Sequence, residues 1–233
     1  MNHLDSLTSV LAEVSDWGPF FAVDTHGADA TPVSPWRWLR ELVDDPDVLR
    51  ERVSGVRAYL AAAGGPPPER VAASVVHLGL VARLVSPALG VAVHTGFFPA
   101  LDLRDLWWQP ELGGSFPLSI GAVDQAGPEG VITGAVRELG AAVGAFSVSE
   151  QVLWGNVASA VNGAATMVAL ARPDLAARAA AVASELLDQP LLRHTSTRRP
   201  DGRFQRLSCC LIYRASPTDR RDAVCGDCVL ATG

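Results

Sequence analysis

Apolar residues recur at helical spacing through most of this chain, interrupted by a few short stretches with a different rhythm. Leu4, Leu7, Leu11 and Val14 mark one face of residues 2–16, and Asp16-Trp17-Gly18-Pro19 closes that helix. Phe20 to Val23 reads as a short strand, and residues 27–35, with their Gly, Pro and Ser, as a loop. Trp36 to Val43 and Pro46 to Ala63 carry helical patterns, the second running into Gly64-Gly65-Pro66-Pro67-Pro68. That Gly/Pro run is the strongest linker signal in the chain. It divides a helical N-terminal region, residues 1–65, from a main body over 66–192 and a C-terminal segment over 193–233.

Within the body, Val71 to Val93 is a 23-residue apolar stretch, long enough to cross a bilayer. His77, Arg83 and Pro87 lie near its middle, and an unpaired arginine there is costly in lipid. The expectation is a buried helix, or two helices broken at Pro87, with no stable membrane insertion. Pro99 to Trp108 and Phe116 to Val123 read as strands joined by a turn at Gly113-Gly114. Val131 to Gly144 is helical in pattern. Ser147-Val148-Ser149-Glu150 fits a capping box that starts a helix running to about Arg172. Gly155 and Gly163 inside that helix suggest close approach by another backbone, since glycine there costs up to about 1 kcal/mol against alanine. Pro173-Asp174 opens a last helix to Leu187; beyond Gln189 the chain is irregular, apart from a strand at Phe204–Ser208. The fold class is α+β, mainly α-helical with a small antiparallel β-sheet.

All four cysteines fall in the last 25 residues: Cys209, Cys210, Cys225 and Cys228, in the pattern C-C-x14-C-x2-C. Structural disulfides belong to oxidising compartments and to small secreted domains. At 233 residues and 48% hydrophobic composition, this chain buries a core without staples. Met1 to Ser6 has no basic region leading into an apolar run, so no signal peptide is expected; with Val71 to Val93 read as buried, a cytoplasmic location is the expectation. Polar neighbours (Asp219, Arg220, Arg221, Asp222, Asp227) also disfavour a set of inert buried thiols. A metal site remains. Cys225-Gly226-Asp227-Cys228 is a knuckle that suits either zinc or an iron–sulfur cluster. The adjacent pair binds a single ion awkwardly, because neighbouring side chains of an extended segment point to opposite sides. Two irons offer more freedom to share them.

The residues around the cysteines carry a resemblance. Arg206-Leu207-Ser208-Cys209-Cys210-Leu211-Ile212-Tyr213-Arg214, followed by Cys225-Gly226-Asp227-Cys228, resembles the C-terminal segment of the FhuF-like ferric-siderophore reductases, in which a C-C-x10-C-x2-C pattern holds a [2Fe–2S] cluster. Leu106-Trp107-Trp108 with Gly113 to Leu118, and Leu153-Trp154-Gly155-Asn156-Val157-Ala158-Ser159-Ala160, are similar to the same family. The likeness covers roughly residues 70–233. It implies a C-terminal iron–sulfur segment with Cys209, Cys210, Cys225 and Cys228 as ligands. It also implies one-electron reduction of ferric siderophores in the cytoplasm. The gap of 14 residues is four longer than the family's, and Ala215 to Asp222 would hold the excess as a polar loop.

Charge modifies this picture slightly. The net charge of −6 argues against nucleic acid as a partner. All 19 basic residues are arginines; residues 193–233 hold eight of them against four aspartates, leaving −10 for the rest. A basic end around a redox site suits an acidic electron donor such as a ferredoxin, or an anionic ligand; it equally suits a solvated tail balancing an acidic body. Arg206, Arg214 and the amides around Gly226 are candidate tuners of a cluster.

Elsewhere the chemistry is sparse. His77, His94 and His194 match no metal-binding spacing and read as hydrogen-bonded structural histidines. Arg83, buried, needs a partner, and a salt bridge is expected over substrate contact. Trp107 and Trp108 read as packing residues, with an aromatic wall for a ligand as the alternative. No G-x-G-x-x-G, P-loop or G-x-S-x-G elbow is present, so a reductase would take its electrons from an external carrier. Three other readings stay open: an iron–sulfur electron carrier or sensor without a siderophore pocket, a zinc-stabilised binding protein, and a relative of the siderophore synthetases.

Overall fold

The structure, a computed structural model, describes residues 3–62, 65–121, 123–215 and 224–231. Helix α1 (His3–Ser15) leads through a turn to strand β1 (Asp24–Thr25) and, past a loop with a cis Ser34–Pro35 bond, to β2 (Arg37–Trp38). The short α2 (Glu41–Asp44), α3 (Pro46–Ala61) and the long α4 (Glu69–Thr95) follow. Next come β3 (Phe98–Pro99), β4 (Leu106–Trp108), β5 (Leu118–Ile120) and β6 (Gln125–Ala126). The short α5 (Pro128–Val131) leads through Ile132–Val136, kinked at Gly134 where ψ is −124°, into α6 (Arg137–Gly144). Helices α7 (Glu150–Ala171) and α8 (Ala176–Leu187) and the hairpin β7 (Ser196–Arg198) and β8 (Phe204–Arg206) complete the order.

Helix α4 is the centre of the molecule. Helices α1, α3, α6, α7 and α8 pack around it, and nearly every residue from Val71 to Val93 is buried. By length and composition it is the one described helix able to cross a membrane, yet 78% of its apolar window is buried against the rest of the protein. It runs unbroken through Pro87, which has no N–H to give the carbonyl of Arg83 one turn earlier. One hydrophobic core takes in residues from Leu7 to Leu192.

The expected strand at Phe20–Val23 is a turn instead, and β1 lies just beyond it. Arg83 explains the difference. Only 1% exposed, it donates Nε–H to Phe116 C=O (2.9 Å) and its terminal nitrogens to the carbonyls of Pro19, Phe20 and Ala22. Those carbonyls curl around the guanidinium instead of lying in a ladder. Burial pushes the Arg83 pKa down to about 10, partly offset by Asp24. Its partners are thus carbonyl dipoles, in place of the expected carboxylate.

The largest sheet runs β1-β5-β4-β2, with β5–β4 and β4–β2 antiparallel and β1–β5 parallel. The helix expected over Trp36–Val43 is split: Arg37 and Trp38 pair with β4, and only Glu41–Asp44 is helical. Trp107 and Trp108 are packing residues. His26 stacks on Trp107 at 3.6 Å, and Trp108 meets Phe116 edge-on. The N-cap of α7 is Ser149, which accepts from Val152 N–H; Ser147 sits two residues upstream with φ of 59°.

Candidate metal centre

The hairpin of β7 and β8 presents the cysteines to the side of the helical core. After Arg206 the chain leaves β8 as an irregular strap, Leu207 to Cys210, laid over α4 and α7. Two contacts seat it. Ser74 of α4 donates its hydroxyl to Cys210 C=O at 2.8 Å. Ser208 lies directly on Gly155 of α7, where any Cβ would collide with its hydroxyl. The close approach expected at Gly155 is therefore the approach of the cysteine strap itself. Gly163 has no neighbour within 4 Å of where a Cβ would stand, so no such approach accounts for it.

The strap then turns sharply. Leu211 has φ of 70°, a left-handed conformation that costs a non-glycine residue about 1–3 kcal/mol, and its N–H points back to Cys209 Sγ at 3.3 Å. This turn answers the difficulty of adjacent cysteines, because it breaks the extended geometry that would send their sulfurs apart. The knuckle is closed by Cys228 N–H to Cys225 C=O (3.0 Å), with Leu230 N–H against Cys228 Sγ (3.4 Å). Arg206 N–H to Asp227 C=O, at 2.8 Å, sews the knuckle to the edge of β8.

All four predicted ligands come together as free thiols. Cys210 Sγ lies 3.4 Å from Cys225 Sγ, and Cys209 interacts with both Cys210 and Cys228. These interactions link the sulfurs in the order 225, 210, 209, 228. Cys210 and Cys228 are fully buried; Cys209 and Cys225 are half-buried. Charge concentrates on Cys210. Hydrogen bonds from Cys209 and Cys225 hold its thiol well below the usual range, helped by Ile212 N–H and Arg206, against the opposing effect of burial. The same hydrogen bonds push Cys209 and Cys225 up, and burial adds to the shift.

Beside the cysteines lies a buried polar network that sequence spacing does not reveal. Arg206 is wholly buried and donates to Asn156 Oδ1 (3.2 Å) and to Asp227 Oδ1 (3.1 Å). Asn156 reaches Ser74 through its amide (3.1 Å to the carbonyl), and Ser159 donates to the other Asp227 oxygen at 2.5 Å. The Arg206 Nε–H makes no hydrogen bond, while the guanidinium interacts with Cys210 and Cys225. Burial opposes its charge, but Asp227 and the two cysteines outweigh burial and raise its pKa. Gly155, Asn156 and Ser159, all from the similar stretch 153–160, thus form the seat of the cysteines. Arg214, by contrast, is exposed and bonded to Tyr213. Residues 216–223, with Asp219, Arg220, Arg221, Asp222 and most of the expected polar loop, lie outside the described residues.

The donor set fits a [2Fe–2S] cluster. It comprises four thiols, with amide N–H groups on Cys209, Cys210 and Cys228 and a buried cation beside Cys210 and Cys225, features that stabilise and tune such a group. Among the described residues, no group of three or more His, Cys, Asp or Glu side chains is arranged to hold a metal ion. His94 faces Glu13 at 3.6 Å, and His194 is exposed. His77 departs from expectation: it is buried, and neither ring nitrogen has a hydrogen-bond partner.

No family model matches the chain, and comparison with curated proteins gives no match.

Proposed function

We propose that this protein is a cytoplasmic ferric-siderophore reductase whose cofactor is a [2Fe–2S] cluster on Cys209, Cys210, Cys225 and Cys228. The observation that carries the reading is the convergence of all four thiols over a buried arginine, on the helix stretch that shares the family likeness. Held by these four cysteines, a [2Fe–2S] cluster would supply one electron to chelated Fe(III), giving Fe(II), and an external carrier such as a ferredoxin would restore that electron. Oxygen chelators hold Fe(III) far more tightly than Fe(II), so the reduced iron is released.

The chain's own residues have limited work to do in such a reaction. The Ser208–Gly155 and Ser74–Cys210 contacts fix the strap on a rigid pair of helices. Leu211 and Leu230 N–H groups and the Arg206 guanidinium surround the sulfurs with positive dipoles and charge, favouring the more negative, reduced state. No general acid or nucleophile is required.

Anaerobic purification tests the reading. The protein should be red-brown, with about two irons and two acid-labile sulfides per chain, the ratio that defines the cluster. Cys225→Ser should lose that colour while helix content stays. Colourless protein with stoichiometric zinc would falsify the assignment. A cluster that no ferric hydroxamate, catecholate or citrate re-oxidises would favour an electron carrier or sensor.

A further inference from the structure

A cavity of about 490 Å³ opens between α4, α6 and the first turn of α7, within the roughly 300–1,000 Å³ of ligand pockets. Its walls include His77, Gly140, Leu153 and Trp154, with Arg137 and Glu150 at the exposed rim. His77 is 1% exposed, and both Nδ1 and Nε2 lack a hydrogen-bond partner. Buried polar groups are satisfied in the great majority of cases, and one that is not needs an explanation. Gly140 lies beside the ring edge: a Cβ at that position would be in van der Waals contact with Nε2, at 3.5 Å. Burial pushes the His77 pKa down to about 3, so the ring is neutral and carries one N–H donor and one acceptor nitrogen.

The position of the cavity relative to the cysteines is equally informative. Ser74, which holds the Cys210 carbonyl, lies three residues before His77, about 4.5 Å along the helix axis. Trp154 in the cavity wall directly precedes Gly155, on which Ser208 rests. The same two helices therefore carry the wall of the cavity and the seat of the thiols. A second cavity, of about 330 Å³, is lined by Phe20, Phe21, Leu78 and Met167, with Ser86 and Ser159 the polar side chains among its described lining residues. It offers an oxygen-rich ligand almost nothing to bond.

We propose that the His77 cavity is the docking site for the chelate, an oxygen-rich complex of a trivalent metal ion. The His77 N–H donates to a chelate oxygen, and the organic arm lies against Trp154 and Leu153. Arg137 and Glu150 meet its polar periphery. This site assignment rests on the reductase reading for its ligand class.

Calorimetry on the oxidised, cluster-loaded protein tests it without any turnover. Redox-inert Ga(III) complexes of a trihydroxamate, a tricatecholate and citrate serve as probes. At least one should bind the wild type. His77→Phe and Gly140→Leu should each weaken that binding tenfold or more, with the visible spectrum of the cluster and helix content unchanged. Met167→Ala, in the second cavity, should leave the affinity as it was. Undiminished binding in both His77→Phe and Gly140→Leu overturns the site, as does loss confined to Met167→Ala or failure of every probe to bind the wild type. The two readings fail separately. A cluster-bearing protein that binds chelate independently of His77 keeps the reductase and loses this site. A zinc-bearing protein with His77-dependent binding keeps the site and loses the reductase.

Discussion

Replacing His77 by phenylalanine gives the clearest energetic test, because the structure predicts a stability change with a defined pH dependence. The wild-type ring is buried with both nitrogens unbonded, and its folded pKa is about 3 against 6.5 when free. At pH 7.5 both states are neutral at this residue. Phenylalanine keeps a planar ring of similar shape and removes two unmet polar atoms, each of which costs about 1–3 kcal/mol when buried. Allowing for imperfect fit of the larger ring, the variant should be as stable as wild type or more stable, by up to about 2 kcal/mol.

Acid then separates the two proteins. Because the folded pKa is depressed, the unfolded chain takes up a proton as pH falls through 6.5 while the folded chain does not. Wild-type stability therefore declines by about 1.4 kcal/mol per pH unit from this residue alone. Between pH 6.5 and 4.5 the folded ring stays neutral, so the loss reaches about 3 kcal/mol. The variant escapes it. Urea denaturation of both proteins at pH 7.5, 6.5, 5.5 and 4.5 measures the difference, in which the titration of all other groups cancels. The advantage of His77→Phe should widen steadily as pH falls. A gap that stays constant over this range would refute the reasoning, since it would mean that the ring is partnered or solvated in the folded state. More stability with less chelate affinity is the trade-off expected where a residue is kept for binding.

Two other perturbations probe the seat of the cysteines. Gly155→Ala places a methyl group where the Ser208 hydroxyl lies, so cluster content per chain should fall, and Ser208→Ala added to it should restore much of the loss, since the Ser208 Cβ is 3.3 Å from that position. Iron and sulfide analysis of the single and double variants decides it; equal cluster content in all would show that the strap is not held there. Arg206→Met leaves Asp227 without its cation, which should destabilise the fold by about 3 kcal/mol. In redox titration, the lost charge should lower the cluster potential by roughly 100 mV, taking a pair interaction of about 2–3 kcal/mol at an effective dielectric of 20.

The helices were legible because their apolar positions repeat over ten residues or more, and α1, α3, α7 and α8 lie close to where the pattern puts them. The strands were not, for a physical reason: at two or three residues each, they are too short for alternation to register. Residues 20–23 are an apolar run that reads as a strand, yet they form a turn because Arg83, some sixty residues away, gathers the carbonyls of Phe20 and Ala22. The cysteines stood out by clustering in sequence, whereas their support did not. Ser74, Asn156, Arg206 and Asp227 come from four separated segments, and only the fold joins them. A free imbalance such as that at His77 is likewise invisible until burial and partners are known.

Among the described residues two arginines are buried, and the contrast between them argues for what lies above the second. Arg83 is surrounded by four carbonyl oxygens, and each of its three nitrogens has a partner; it needs no further charge and is explained as a clamp on the turn after α1. Arg206 is as deeply buried, but it has one amide oxygen and one carboxylate, and its Nε–H is left without a bond. Asp227 alone would neutralise it. A neutral pair in the interior is commonly no more stable than an apolar filling of the same volume, so stability gives little reason to place one here. What the pair gains is its neighbours: Cys210 and Cys225 lie against the guanidinium and favour its charged form. Thiolates buried on a helical core require a fixed cation nearby, and metal-bound thiolates carry their negative charge at every pH where the metal stays bound. An arginine left one bond short and set against two sulfurs meets that requirement, whereas an arginine serving the fold alone would be bonded as Arg83 is.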